Sequence, residues 1–235
     1  MWNGNKKAIT FSYDDGCESD KKIIEILDKY KLKGTFNLNS ELLGTTLKIY
    51  NPDGVVVEEI PKIKESDVKE TYKNHEIAVH TLTHPNLTRV SDEEVIRQVN
   101  EDKKNLERIS GQKIVGMAYP CGGINNDERV GNLIKKYTQI KYARTITASY
   151  NCEIQTDLIH FNPTAHHSEK RLLEIFESFI NSDSDKPQIL YIWGHAFELD
   201  RGTSMSWTQF DDLCRMLSNR KGVYYGTNRE VLLGE

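Results

Sequence analysis

Long apolar runs are missing from this chain. No stretch approaches the roughly 20 residues that a membrane-spanning helix needs, and the mean hydropathy is −0.60. Cysteine is scarce and scattered: Cys17, Cys121, Cys152 and Cys214 form no C-x-x-C pair. That excludes a disulfide framework or a thiolate metal site and leaves free thiols. There is no excess of positive charge. A net charge of −4 with both signs interspersed gives neither a nucleic-acid surface nor a polybasic membrane patch. No G-x-G-x-x-G or G-x-x-x-x-G-K-[ST] loop follows an expected strand, so a nucleotide-binding fold has no support. No internal repeat, low-complexity segment or linker interrupts the 235 residues, which suits one domain over 1–235 with a full core. Met1 to Lys7 lead straight into the first expected strand without signal-peptide features. The expectation is therefore an intracellular protein, or one whose leader has been trimmed.

What is present is an alternation of strand and helix signals. Ala8–Asp14 reads as a buried strand ending in two carboxylates and Gly16. Helical stripes follow over Ser19–Lys33, with Ser19 and Gly34 as caps, over Ser66–Lys73, and over Ser91–Ser110 with a Ser91/Glu94 capping box. Others span about Asn126–Tyr137, Ser168–Ile180, Ser206–Leu217 and Asn228–Leu232. Strands are expected over Thr35–Asn39, Glu76–His80, Lys113–Tyr119, Tyr142–Ile146, Thr156–Phe161, Gln188–Trp193 and Val223–Tyr225. Asn51-Pro52-Asp53-Gly54 marks a hairpin-like excursion between Leu43 and Ile63. The alternation predicts a mostly parallel sheet flanked by helices. About seven units fit an irregular (β/α) barrel better than an open sheet. In such barrels the chemistry sits on the loops after the strands, where Asp14-Asp15, His80, Pro120-Cys121-Gly122 and His195 all fall.

Acidic side chains at the mouth of an apolar strand cost desolvation energy unless a metal, a proton or a basic partner compensates them. One carboxylate of the Asp14-Asp15 pair can ligate a cation while the other handles a proton. His80 and His84, four residues apart just after a strand, can converge on one metal. Two imidazoles and a carboxylate form a ligand set that favours Zn²⁺ and admits Co²⁺, Ni²⁺ or Fe²⁺. Three protein ligands leave a position open, the mark of a catalytic site.

These segments resemble the NodB-homology polysaccharide deacetylases. Thr10-Phe11-Ser12-Tyr13-Asp14-Asp15-Gly16 is similar to the first motif of that family, His80-Thr81-Leu82-Thr83-His84 to the second, and Ala118-Tyr119-Pro120-Cys121-Gly122 to a variant of the third. The resemblance runs from about Ala8 to His195. It implies a metal-dependent hydrolase that removes acetyl groups, N-acetyl before O-acetyl, from a carbohydrate. Asp15, His80 and His84 would be the metal ligands and Asp14 the general base. The Cys121 backbone N–H would stabilise the oxyanion, and His195 would protonate the leaving amine.

The sequence also departs from the family pattern. Ala118 stands where the third motif usually has an arginine that orients the catalytic aspartate, and Cys121 replaces a common aromatic. No D-x-x-D-W fourth motif is present, and Gly194 and Ala196 alter the setting of His195. Arg144 is the expected substitute partner for Asp14. Tyr119, Trp193 and Trp207 are candidate sugar-binding residues. His166 and His167 read as a surface loop before a wall of the substrate groove, Glu198 and Asp200 as solvated acids before orienters of His195, and Cys17 with Cys121 as flanking thiols without a nucleophilic role. Two other readings accompany the first: hydrolysis of small non-sugar amides or ureides on the same barrel, and a carbohydrate-binding relative without catalysis. The expected partner is an acetylated carbohydrate, with no nucleic acid and no membrane.

Overall fold

The computed structural model describes residues 2–235. Strand β1 (Lys7–Asp14) shows how one stretch serves both the core and the site. Successive strand side chains point to opposite faces. Ile9, Phe11 and Tyr13 face the helices, where Phe11 and Tyr13 meet the Phe210 ring edge-on at 6.5 and 6.0 Å. Thr10, Ser12 and Asp14 face the other way, and all three are buried. Buried polar groups persist only when paired. Thr10 Oγ1 donates to Asn228 Oδ1 at 2.8 Å, and Ser12 Oγ accepts from Asn37 Nδ2 at 2.9 Å and Arg144 Nε at 3.2 Å.

The other strands of the main sheet are β2 (Gly34–Leu38), β5 (Glu76–Val79), β6 (Gly116–Ala118), β7 (Tyr142–Arg144), β8 (Ala165–His166), β9 (Gln188–His195) and β10 (Val223–Tyr225). Between β2 and β5, strands β3 (Thr46–Tyr50) and β4 (Val56–Pro61) form a separate antiparallel hairpin. The main sheet is wholly parallel, in the order β7-β6-β5-β2-β1-β9-β8. Its eighth strand, β10, pairs with Lys7–Ile9 of β1, while β2 pairs with Phe11–Asp14. The two ends of this path approach each other. Arg144 bridges Phe161, Ala143 N donates to Leu158 O at 2.7 Å, and Thr164 N donates to Tyr191 O at 2.8 Å. The result is the irregular (β/α) barrel expected from the alternation. Because every strand runs the same way, Asp14, Asn37, His80, Arg144, His166 and His195 emerge at one end.

The helices are α1 (Asp20–Lys29), α2 (Glu65–Thr71), α3 (Asp92–Ser110), α4 (Glu128–Tyr137), α5 (Leu172–Asn181), α6 (Ala196–Arg201), α7 (Trp207–Leu217) and α8 (Asn228–Leu233). None is long and apolar enough to cross a membrane.

The hairpin turn forms where the sequence puts it. Asn51 Oδ1 accepts from Asp53 N at 3.1 Å and Val55 N at 2.9 Å, and Gly54 takes a φ of 76°. Four local expectations are corrected. Ser19 does not cap α1, since its hydroxyl bonds Asp200 instead, and the helix ends at Lys29 while Gly34 already belongs to β2. Ser91 caps α3, but Glu94 is drawn to Arg97 and Gln98 rather than closing the box. Thr156–Phe161 forms no strand, only the bridge at Phe161, and the sheet resumes after Pro163 as β8. Proline has no N–H for a ladder, which limits pairing there. Helix α6, absent from the expectations, starts directly after His195.

Candidate active site

A cavity of about 190 Å³ opens at the carboxyl ends of the strands, lined by Asp14, Asp15, His80, His84, Tyr119, Cys121, Trp193 and His195 among others. Asp14 ends β1 and is 2% exposed. Arg144, itself fully buried, places one Nη2 2.5 Å from Asp14 Oδ1 and bonds Oδ2 as well. The rest of the guanidinium is fixed by Ser12 Oγ, by Thr145 O at 3.0 Å and by the Trp193 ring, whose centroid lies 4.6 Å from Cζ. Asn37 Nδ2 adds a further bond to Asp14 Oδ1 at 2.8 Å. Burial works against the Asp14 charge, but the Arg144 cation outweighs it and holds the carboxyl below its usual range.

The next residue turns sharply away. Asp15 has φ 81°, a left-handed conformation rare for a side chain with a Cβ. Its backbone is secured by a bond from its N–H to Asn37 O at 3.0 Å and by buried Lys62 Nζ donating to its carbonyl at 2.9 Å. Lys62 Nζ also lies 3.6 Å from Asp15 Oδ1. Burial again opposes ionisation, yet Lys62 and the neighbouring histidines bring Asp15 down to about 2.

Asp15 Oδ1 faces His80 Nε2 at 3.8 Å and His84 Nε2 at 3.5 Å. His80 Nδ1 is 3.0 Å from the Ala118 carbonyl, which can only accept, so the ring proton sits on Nδ1 and the Nε2 lone pair points at Asp15. Burial lowers both imidazoles, His80 to about 4, so both are neutral and able to ligate. The three donor atoms lie within 4.8 Å of one another. A neutral N, N, O set with one tautomer already fixed fits a divalent cation of the zinc class. The backbone bends needed to gather it recur at Thr81 (φ 68°), His84 (φ 62°) and Cys121 (φ 69°). Such strain concentrates at functional sites.

Cys121 directs its Sγ to His84 O at 3.4 Å and His84 Nδ1 at 3.8 Å. Burial and Asp15 push its thiol pKa up, so it stays protonated. Its backbone N–H donates to no other group among the described residues. His195, at the end of β9, is in register with Asp14 across the β1–β9 pair.

The structure does not bring every candidate to this cavity. Trp207 lies elsewhere: its indole N–H bonds Asp200 at 3.0 Å and its ring packs under Lys22. Tyr119 lines the cavity, but its hydroxyl is spent on Ile159 O at 2.9 Å and its ring stacks on His160. Asp200 serves Ser19 and Trp207 rather than His195. Cys17 is buried beside Asp20 and does not flank the cavity. Sequence reading missed Lys62, which the hairpin delivers through the Cys17–Lys62 bridge. It also missed Asn37, whose only signal was an amide at a strand end. A second cleft of about 500 Å³ shares Asp15 and His84 with the site and runs beneath the hairpin past Leu47 and Tyr50.

Comparison with known proteins converges on one family. The profile of the polysaccharide deacetylases, described as "Polysaccharide deacetylase", matches residues 2–139. The peptidoglycan-N-acetylmuramic acid deacetylase PdaC of Bacillus subtilis is 30% identical over 127 residues, which are 53% of this chain and 24% of that protein. A peptidoglycan-N-acetylglucosamine deacetylase of Bacillus cereus is 30% identical over 122 residues, 51% of this chain and 38% of that protein. The match thus spans well under half the length of these curated relatives. Among solved structures, the Xyl-CE4 domain of a multidomain xylanase from the hindgut metagenome of Trinervitermes trinervoides superposes with a TM-score of 0.62 at 16% identity, covering 98% of this chain and 91% of that one. A mutant of BA3943, a CE4 family pseudoenzyme with restored enzymatic activity, gives 0.61 at 20% identity, covering 97% and 68%. These structural likenesses concern the fold.

Proposed function

The chain belongs to the polysaccharide deacetylase family, and from that premise we propose that it is a metal-dependent hydrolase removing acetyl groups, N-acetyl before O-acetyl, from a poly- or oligosaccharide. The observation that carries the reading is the convergence, in one small cavity, of an ion-paired carboxylate (Asp14), a neutral two-histidine, one-carboxylate cluster (Asp15, His80, His84) and a further histidine (His195). A site for binding alone has no use for a fixed base beside a cation site. Asp15, His80 and His84 would hold a divalent cation, Zn²⁺ first and Co²⁺, Ni²⁺ or Fe²⁺ as alternatives. When bound, that ion supplies Lewis acidity toward an acyl carbonyl and toward water.

The remaining roles fall to the protein's own groups. Asp14 accepts the proton of the attacking water, and Arg144 holds its carboxylate ionised and aimed. The Cys121 N–H donates to the developing oxyanion. His195 gives its proton to the departing amine as the C–N bond breaks and acetate leaves. Trp193 and Tyr119 wall the cavity around the acetyl group. Peptidoglycan strands are the first substrate to try, because the curated relatives are named for them.

Acetate release from N-acetylated peptidoglycan fragments, chitooligosaccharides and acetylated xylan tests the proposal, with Asp14→Asn as control. Turnover by the metal-loaded protein, lost by about 10²-fold or more in Asp14→Asn with metal content retained, is the expected result. Cleavage confined to small amides or cyclic ureides would move the assignment to that chemistry. Glycan binding without turnover at any metal loading would make the protein a binder.

A further inference from the structure

Four nitrogens surround one carboxylate just behind His195. Glu198, in the first turn of α6, accepts the His195 backbone N–H at Oε2 (3.1 Å). The same oxygen lies 3.0 Å from His166 Nε2 and 3.4 Å from His167 Nε2. Its Oε1 lies 3.3 Å from His195 Nδ1, a buried ring nitrogen that no aligned hydrogen bond satisfies. The sequence favours a surface loop for the two histidines and a solvated acid over an orienter of His195 for Glu198, and the structure corrects the first and selects the orienter for the second. His167 is 1% exposed, against the Tyr13 ring. Gly194 makes this possible, since a Cβ there would stand 2.4 Å from His167 Nδ1.

The hydrogen bonds also decide where one proton sits. The Ser168 backbone N–H donates to His166 Nδ1 at 3.3 Å. That nitrogen is therefore an acceptor, and the ring proton lies on Nε2, facing Glu198. Burial opposes the Glu198 charge, but the bonds from His166 and His195 hold its carboxyl far below the ordinary range.

We propose that Glu198 is the positioning residue for His195: it holds the imidazole proton on Nδ1, turns Nε2 to the cavity and stabilises the protonated ring, while His166 and His167 brace it. This rests on the reading of His195 as proton donor to the leaving amine. Orientation of a catalytic imidazole by a carboxylate on its far nitrogen is general chemistry. Here the carboxylate comes from the helix that follows the histidine. The donor atoms of His166, His167 and Glu198 also lie within 4.8 Å of one another, as a second cation site would require. The Ser168 N–H argues against that, because a cation would need the His166 lone pair where the geometry places a proton.

The test pairs kinetics with long-range ¹H–¹⁵N NMR of the histidine rings in the zinc-loaded protein, assigned with His195→Ala. Expected are an Nδ1–H tautomer or doubly protonated ring at His195 in the wild type and one zinc per chain. Glu198→Gln should lose about 10- to 100-fold in kcat with KM changed less than about twofold and the zinc retained, and Glu198→Asp should recover part of the loss. An Nε2–H tautomer in the wild type, or an unchanged kcat in Glu198→Gln while His195→Ala is impaired, overturns the proposal. So does a second bound zinc that Glu198→Gln removes. If the wild type turns over no acetylated glycan, the functional reading fails, and the tautomer alone decides for or against Glu198. Should Glu198→Gln not fold, His166→Asn removes one brace and is expected to shift the same tautomer signal and lower kcat to a smaller degree. No change in either would count against the proposal.

Discussion

Asp14 and Asp15 are neighbours in the chain with opposite surroundings. Asp14 stays in the strand and meets Arg144 in the concave interior, whereas Asp15 turns through φ 81° and meets two imidazoles and Lys62. A buried pair broken on one side leaves an uncompensated charge, at a cost of about 3–5 kcal/mol. Arg144→Met is accordingly expected to lower the urea-unfolding free energy by roughly that amount. It should also let Asp14 protonate more readily, moving the acid limb of kcat/KM up by about one pH unit or more. Arg144→Lys should keep more of the stability but lose the planar guanidinium that Ser12, Thr145 and Trp193 hold beside the carboxylate, so its kcat stays depressed. Wild-type kcat and an unmoved acid limb in both variants would show that Arg144 does not act through Asp14.

At the scale of elements, short pieces between the sheet strands carry the site. The hairpin brings Lys62 to Asp15, and α6 brings Glu198 to His195. The first residue of α1 supplies a pH-sensitive feature. Asp20 is fully buried, accepts from Tyr72 OH at 2.7 Å and lies 3.5 Å from Cys17 Sγ. Burial raises its pKa to about 7. A carboxyl raised above its unfolded value of about 3.9 binds its proton more tightly in the folded state. Its contribution is therefore complete below about pH 4 and is lost as pH rises through about 7. Urea unfolding at pH 5 and pH 8 should show a stability loss in the wild type that Asp20→Asn lacks, on the order of 1.4 kcal/mol per pH unit at most. Equal pH dependence of the two proteins would refute it. The tryptophans separate similarly. Trp207, bonded to Asp200 on the outside, is expected to tolerate alanine with KM unchanged. Trp193→Ala removes the face that Arg144 rests on and should impair turnover. Acetate-release kinetics on one glycan distinguish the two.

For the whole molecule, the proposed cation site would link folding to cation binding, because Asp15, His80 and His84 are gathered from two strand ends only in the folded chain. A ligand held at 100 times its Kd adds about 2.7 kcal/mol to stability. For a chain of this size that corresponds to a melting temperature higher by roughly 5–10 °C. Chelation should remove this increment together with activity, and Zn²⁺ or Co²⁺ should restore both. A melting temperature indifferent to chelator and metal would remove the cation from this site.

The sequence by itself determined the barrel, from the alternation of apolar strands with amphipathic helices. It also marked the two pairs Asp14-Asp15 and His80/His84, because their geometry is local: adjacent residues at a strand end, or two imidazoles four apart on one loop. It could suggest Arg144 because parallel strands put all their carboxyl ends on one rim. Only the tertiary structure decided that Lys62 grips Asp15, that His167 is buried behind Gly194, and that Glu198 gathers His166, His167 and His195. Those contacts join segments that no periodicity relates. A polar side chain in a loop looks solvated until the fold closes over it, and burial then makes each unpaired nitrogen or oxygen costly enough to require a partner.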